Sequence, residues 1–249
     1  SVSLACGLAK ARDARGENSN VIAVIGDGSL SSGVAFEGLN NVAEQGGNLI
    51  IVFNDNEMSI AEDFGGMYGP LARLRESGGT AQPNIFNAFG LDYRYVEQGN
   101  DVAALVDAFT EVKDIDHPVV VHIHTLKGLG LPAADDRHEV DHCDLSGSEP
   151  HAGRCEASHA VAFAAGIARA GGTPVVATTA SFFQRAYDQF FQEMALNRQP
   201  VTLLSFLSGL SGSDNTHSGA YDIAMFGNIP GLICLAPTSG YDFLGMLDW

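Results

Sequence analysis

Val21-Ile22-Ala23-Val24-Ile25-Gly26-Asp27-Gly28-Ser29 and, further on, Leu49-Ile50-Ile51-Val52-Phe53-Asn54-Asp55-Asn56-Glu57-Met58 are the two stretches that decide the fold. Each opens on a continuous apolar run, the pattern of a strand covered on both faces of a parallel sheet. Each run ends in a short turn of Gly, Asp and Asn. Between them Val34, Phe36, Leu39 and Val42 recur at helical spacing over 31–45, and Gly46-Gly47 stops the pattern. Strand, helix, strand is a βαβ unit. Its two polar turns arrive side by side at the carboxyl edge of the sheet, where open α/β folds bind ligands.

The chemistry of the turns points to a metal-held diphosphate. Asp27 offers a carboxylate, Asn56 a side-chain carbonyl, and Met58 a backbone carbonyl. Mg²⁺ takes oxygen ligands in near-octahedral geometry and divides its coordination between one or two protein groups and ligand phosphates. Gly28 and Ser29 stand where a helix begins, so their N–H groups and the positive helix end can face phosphate oxygens. Glycine there lets the backbone approach closely. A lone Gly-Asp-Gly is common in acidic turns. Two ligand-bearing turns, each directly after an apolar strand, are far more specific.

Composition narrows the classes. The 249-residue chain is 45% hydrophobic and carries a net charge of −17, which argues against nucleic acid or an anionic membrane as partner. An anionic cofactor must then be held by Mg²⁺ and local dipoles. No apolar run reaches the length of a membrane span. No signal peptide is visible, and the expectation is a cytoplasmic protein. Cys6, Cys143, Cys155 and Cys234 form no Cys-x-x-Cys pair, and buried free thiols are expected. The rival is a zinc site of His142, Cys143, His151 and Cys155, whose spacing matches no common zinc pattern.

The rest of the chain repeats the alternation. A helix is expected over 2–12, a turn-rich surface stretch or lid over 65–83, and a short helix over 84–89. A strand follows over 93–96, then a helix over 102–112 capped by Asp101, and a strand over 118–124 ending in Thr125-Leu126-Lys127-Gly128. Over 132–153 periodicity disappears and Asp, His, Ser, Gly and Pro take over, which marks a domain boundary. Beyond it come a helix over 156–170, strands over 174–178, 201–206 and 231–235, a helix over 182–195, a Gly/Ser loop over 207–219 and a helix from Tyr241. The expected fold is α/β: two parallel-sheet, helix-covered domains, 1–131 and 154–249, joined by a linker and the second incomplete.

These motifs resemble a known family. Gly-Asp-Gly followed after a helix and a strand by Asn-Asp-Asn is the thiamine diphosphate signature. Ser3-Leu4-Ala5-Cys6-Gly7-Leu8-Ala9, Val24 to Ser29, Asn54 to Ile60 and His124-Thr125-Leu126-Lys127-Gly128 resemble the diphosphate-binding domain of the 1-deoxy-D-xylulose-5-phosphate synthase family. His159 to Gly166, Phe182 to Gln189 and Asp214-Asn215-Thr216-His217 resemble its pyrimidine-binding domain. The resemblance spans nearly everything outside 132–153. It implies two thiamine-diphosphate-binding-fold domains whose carboxyl edges face a shared cleft, a homodimer, and condensation of pyruvate with glyceraldehyde 3-phosphate. That reaction releases CO₂ and gives 1-deoxy-D-xylulose 5-phosphate, an isoprenoid precursor.

The resemblance also implies roles. Asp27, Asn56 and Met58 are the Mg²⁺ ligands, Gly28 and Ser29 meet the diphosphate, and Lys127 lies near the diphosphate or thiazolium. Phe182 packs on the aminopyrimidine, Arg185 and Asp214 face substrate, and Glu156 and His217 are catalytic. Plainer readings stand beside these: Lys127 as a solvated lysine, Phe182 as core, and His159, His122 and His124 as helix and strand residues. Other thiamine diphosphate enzymes, such as a transketolase or a 2-oxo acid dehydrogenase subunit, are the alternative activities. A non-catalytic protein that retains only the cofactor contacts is the alternative class.

Three departures qualify the resemblance. The family's cofactor-activating glutamate aligns with Ala157, and Glu156 lies one residue earlier, about 100° around a helix. Leu207 stands where many relatives have arginine. The family pattern also places a histidine segment before Ser1, a longer segment between His142 and Arg154, and a final strand and third domain after Trp249. The chain therefore reads as a truncated or reduced form, with an exposed sheet edge that favours association.

Overall fold

The computed structural model describes residues 2–58, 65–129, 157–206, 208–209 and 218–248. The chain divides into two compact units, Ser1–Cys155 and Glu156–Trp249. The first runs α1 (Val2–Ala14), β1 (Ile22–Gly26), α2 (Asp27–Leu30), α3 (Gly33–Gln45), β2 (Ile50–Asp55), α4 (Tyr68–Glu76), α5 (Ile85–Ala88), β3 (Asp92–Val96), α6 (Val102–Val112) and β4 (Val119–His124). Its four strands are parallel, in the order β1-β2-β4-β3.

That order dictates where the helices go. The path from β1 to β2 to β3 travels one way across the sheet, and the return from β3 to β4 travels back. Right-handed crossovers place the two directions on opposite faces. Packing follows: Leu39 and Val42 of α3, Leu71 and Leu74 of α4 and Phe86 of α5 bury against Ala23, Ile25, Ile51, Phe53 and Val120. Ala108 and Val112 of α6 bury against Ile50, Val52, Val119, Val121 and Ile123 on the other face. The central strands β2 and β4 are covered on both sides, which is why they read as unbroken apolar runs. Edge strand β1 is not: Ile22 and Val24 remain exposed.

Local chemistry sets the helix ends. Ser32, Asn84 and Asp101 cap α3, α5 and α6, accepting the N–H groups of Ala35, Phe86 and Ala104. Gly46 and Gly47, at φ +66° and +77°, terminate α3. Arg12 of α1 is buried and donates to the carbonyls of Ser19 (2.9 Å) and Asn48 (2.8 Å), tying the first helix to the loops that lead into β1 and β2.

The expected lid over 65–83 is corrected by α4, whose Leu71 and Leu74 are fully buried. Gly and Pro content misled here. Pro70 falls in the first turn of the helix, where a missing N–H costs nothing, and the paired glycines lie outside the helix at both ends. Gly79, at φ +84°, packs its Cα against Tyr95, so a Cβ there would overlap the Tyr95 Cβ. Gly79→Ala should destabilise the first unit by at least roughly 1–2 kcal/mol, the cost of a left-handed L-residue alone. Unchanged thermal unfolding would contradict that.

The second unit runs α7 (Ala157–Arg169), β5 (Val175–Thr179), α8 (Ala180–Phe183), α9 (Tyr187–Gln189), β6 (Thr202–Phe206), α10 (Asp222–Phe226) and α11 (Gly240–Leu247). A 3-10 turn, Gln184–Ala186, and a π turn, Phe190–Ala195, break the helix expected over 182–195 into pieces. β5 and β6 pair in parallel. Two strands alone are marginal, and the unit is held by Val161, Ala164 and Ala165 of α7 packed with Val176, Phe183, Phe190 and Met194. The strand expected over 231–235 does not form. Among the described residues no third strand joins this sheet, and Ile233 and Leu235 stay exposed. Cys6 is buried as expected, and burial pushes its thiol pKa up, but Cys234 is exposed. Cys143, Cys155, His142 and His151, with the expected linker 132–153, lie outside the described residues.

Candidate functional site

Parallel register aligns Gly26 with Asn54 and Asp55 with His124, so the turns after β1, β2 and β4 open at one carboxyl edge. Asp27, the first residue past β1, is only 3% exposed. Its Oδ1 accepts the Gly28 N–H at 2.7 Å, and its Oδ2 accepts the N–H groups of Asn56 at 2.9 Å and Met58 at 3.2 Å. The Met58 N–H also reaches Asn56 Oδ1 at 3.1 Å. One N–H thus sits between the Asp27 carboxylate and the Asn56 amide oxygen. The two side chains singled out in the sequence converge on one spot.

The electrostatics of that spot favour a cation. Burial pushes the Asp27 carboxyl pKa up, the N–H bonds from Asn56, Gly28 and Met58 pull it down, and the neighbouring Asp55 charge pushes it up again; the net direction is upward. Among the described residues no Lys, Arg or His lies within ion-pairing distance of Asp27. A buried carboxylate held by amides alone is short of positive charge. The donor set fits Mg²⁺: a carboxylate oxygen, an amide oxygen and backbone around them. Among the described residues no group of three His, Cys, Asp or Glu side chains is placed to hold a metal.

At the diphosphate end Gly28 and Ser29 stand in the first turn of a helix, as expected. The helix after Asp27 is a single turn, and the long helix α3 begins only at Gly33 behind its Ser32 cap. A full helix dipole therefore does not start at Gly28 and Ser29. The Gly28 N–H serves the Asp27 carboxylate, while Ser29 is exposed on the one-turn helix.

A network of charged and aromatic side chains, not legible in the sequence, surrounds the Asn54–Met58 turn. Asp55 is 1% exposed and its Oδ2 takes Arg75 Nη1 at 2.6 Å and His122 Nε2 at 3.0 Å. Burial works to raise the Asp55 pKa, but the bonds from His122 and Arg75 and the Arg75 charge outweigh it and the net direction is down. His122 is fully buried, and that burial holds its imidazole neutral, below the ordinary histidine value. With its Nε2–H given to Asp55, Nδ1 accepts the Tyr93 O–H at 2.7 Å. Burial, with the Asp55 charge, raises the Tyr93 pKa far above neutral, so the phenol stays a donor. Glu57, at φ +64°, meets Arg75 Nη2 at 3.1 Å and His124 Nε2 at 3.0 Å. Thr125 Oγ1 donates to Asn54 Oδ1 at 2.6 Å. The His122/His124 alternation is strand chemistry, as read, but each ring is a working partner of this turn.

Lys127 is partly buried in the turn after β4, at the same carboxyl edge as Asp27. In the second unit Phe182 of α8 packs partly buried on the aromatic core, and Arg185 is exposed in the 3-10 turn, its carbonyl accepting from Ser158 Oγ at 2.8 Å. Ala157 is buried as the first residue of α7. Glu156, Asp214 and His217 lie outside the described residues.

Comparison with known proteins decides the family. The family model described as 1-deoxy-D-xylulose-5-phosphate synthase matches residues 1–83 and 78–125, half of the chain and all of the Asp27–Asn56 geometry. The chain belongs to the 1-deoxy-D-xylulose-5-phosphate synthase family. A second model, the pyrimidine-binding domain of transketolase, matches 151–249. Among curated relatives, 1-deoxy-D-xylulose-5-phosphate synthase 1 of Geobacter metallireducens is 33% identical over 330 aligned positions, covering 95% of this chain and 53% of the relative. Synthase 2 of Geobacter sulfurreducens is 32% identical, covering 99% of this chain and 54% of the relative. The synthase of Myxococcus xanthus is 32% identical, covering 99% and 51%. The chain spans about half the length of the synthases it matches. The alignments are longer than the chain itself, so the relatives carry residues with no counterpart here. The synthase match is in two pieces that meet at 78–83, the glycine turn between α4 and α5, and there the family pattern is interrupted. Residues 126–150 fall outside both models.

Proposed function

We propose that this chain binds thiamine diphosphate through Mg²⁺ and serves the condensation of pyruvate with glyceraldehyde 3-phosphate, releasing CO₂ and forming 1-deoxy-D-xylulose 5-phosphate. The observation that carries the reading is the buried Asp27 carboxylate, without a cationic partner among the described residues, which shares the Met58 N–H with Asn56 Oδ1 at the ends of adjacent parallel strands. Asp27 supplies the negative charge the ion requires, and Asn56 and the Met58 carbonyl complete a hard oxygen set. On a chain of net charge −17, the ion offsets the repulsion a diphosphate would otherwise meet. Lys127, at the same edge, adds positive charge for the diphosphate.

Thiamine diphosphate, when bound, supplies the electron sink for breaking the carboxyl carbon–carbon bond of a 2-oxo acid. The protein's part is orientation and proton transfer. Phe182 offers an apolar face to the aminopyrimidine and Glu156 a carboxyl to its ring nitrogen. Asp214 and Arg185 hold substrate, and His217 moves protons at the reacting carbon. The working form is a cytoplasmic homodimer.

The test is release of labelled CO₂ from carboxyl-labelled pyruvate with Mg²⁺, thiamine diphosphate and glyceraldehyde 3-phosphate present. Release that depends on all of them is expected. Turnover of ketose phosphates in place of pyruvate would make the chain a transketolase. A second reading starts from Ala157, buried as the first residue of α7, which the resemblance aligns with the family's activating glutamate. If Glu156 cannot substitute, the chain binds the cofactor and releases no CO₂.

A further inference from the structure

Arg75 lies far from Asn56 in sequence, yet α4 carries it back over the turn that holds Asn56. Its guanidinium is mostly buried, with 14% of the side chain exposed, and it forks: Nη1 to Asp55 Oδ2 at 2.6 Å and Nη2 to Glu57 Oε2 at 3.1 Å. Asp55 and Glu57 are the two neighbours of Asn56. Asp55 Oδ1 also accepts the Glu57 N–H at 3.2 Å, closing the turn on itself. Glu57 adopts φ +64°, a left-handed conformation that an L-residue leaves unless it is held. Besides that N–H bond, two contacts hold its carboxylate, Arg75 from α4 and His124 from the end of β4. With both flanking residues fixed, the backbone of Asn56 and Met58 has one way to face, and it points its N–H groups at Asp27.

From this geometry we infer that Arg75 is a positioning residue, whose two-pronged grip on Asp55 and Glu57 presets the Asn54–Met58 turn to receive the divalent ion. The inference rests on the reading of Asp27 and Asn56 as the ion site. Arginine is required because one planar fork must satisfy two carboxylates at once; a lysine ammonium keeps the charge but cannot span both. Loss of partners that orient metal ligands typically weakens metal binding by roughly 10- to 100-fold.

A purely structural role, neutralising buried Asp55, makes a different prediction, and two variants separate them. Arg75→Lys leaves a positive charge beside Asp55. Glu57→Gln leaves the Arg75–Asp55 pair intact and alters a side chain that is 53% exposed, so folding is preserved. Mn²⁺ replaces Mg²⁺ as the probe, and its bound fraction is read by electron paramagnetic resonance in the presence of thiamine diphosphate, with thermal unfolding of each protein in parallel. Mn²⁺ affinity should fall roughly 10- to 100-fold in Arg75→Lys, and by a smaller but measurable factor in Glu57→Gln without loss of thermal stability. If the wild-type chain takes up Mn²⁺ and both variants match it, the positioning role is overturned alone. If the wild-type chain takes up none, the reading of the site falls, and this inference with it.

Discussion

Asp27→Asn should remove Mg²⁺ and thiamine diphosphate binding together, by more than about 100-fold, while leaving the metal-free protein folded. The two halves of this result have one cause. Asp27 is a desolvated carboxylate with its pKa held above the ordinary carboxylate range and no cation beside it among the described residues. The folded chain therefore keeps its proton to higher pH than the unfolded chain does, so stability falls as pH rises through that window. At neutral pH the bare charge is a cost that a bound ion relieves. An asparagine keeps an oxygen for the N–H groups of Asn56 and Met58 and brings no charge, though its amide N–H₂ then faces the Gly28 N–H, so the fold survives and the ion loses its main ligand. Binding calorimetry reads the first half and thermal unfolding without metal reads the second. A variant that binds as the wild type does, or one that fails to fold, contradicts the account.

Asp55→Ala should act in the opposite sense, costing about 3–5 kcal/mol of stability whether or not metal is present, the range for breaking a buried ion pair from one side. It leaves Arg75 with Glu57 alone and the His122 Nε2–H without its acceptor, in a region sealed by Phe53, Phe86 and Tyr95, which pack their rings against His122. The double variant Asp55→Ala with Arg75→Met should recover part of the loss, because no buried charge is then left without its partner. His122 gives the network a pH signature. Its folded pKa lies below the ordinary value of about 6.5, so as pH falls under that value the unfolded chain takes up a proton before the folded one does. The stability present above pH about 6.5 should therefore drain away as the solution is acidified toward the folded value. Urea unfolding between neutral and mildly acid pH measures this. His122→Phe, which cannot titrate, should flatten that part of the profile.

Particular residues show what a sequence can and cannot disclose. The apolar runs of β1 and β2, the helix expected over 31–45 and found at Gly33–Gln45, and the Asp101 cap are local signals, and they were legible because backbone sterics and capping act over a few residues. Asp27 and Asn56 were legible as a pair because each follows directly on its strand. Arg75, Asp55, His122 and Tyr93 were not. They come from α4, β2, β4 and β3, and only the β1-β2-β4-β3 order brings them together. No spacing rule announces a partner supplied by a neighbouring strand's register. The helix α4 was obscured by the glycines around it, and the strand expected over 231–235 lacked what an apolar run cannot provide, a paired neighbour among the described residues.

The central claim is that the turns closing β1 and β2 jointly hold a divalent ion and, through it, a diphosphate. Calorimetric titration of thiamine diphosphate into the chain, with Mg²⁺ and then with EDTA, tests it most directly. Saturable binding is expected, abolished by EDTA and never shown by Asp27→Asn. Equal affinity with and without the divalent ion would contradict it.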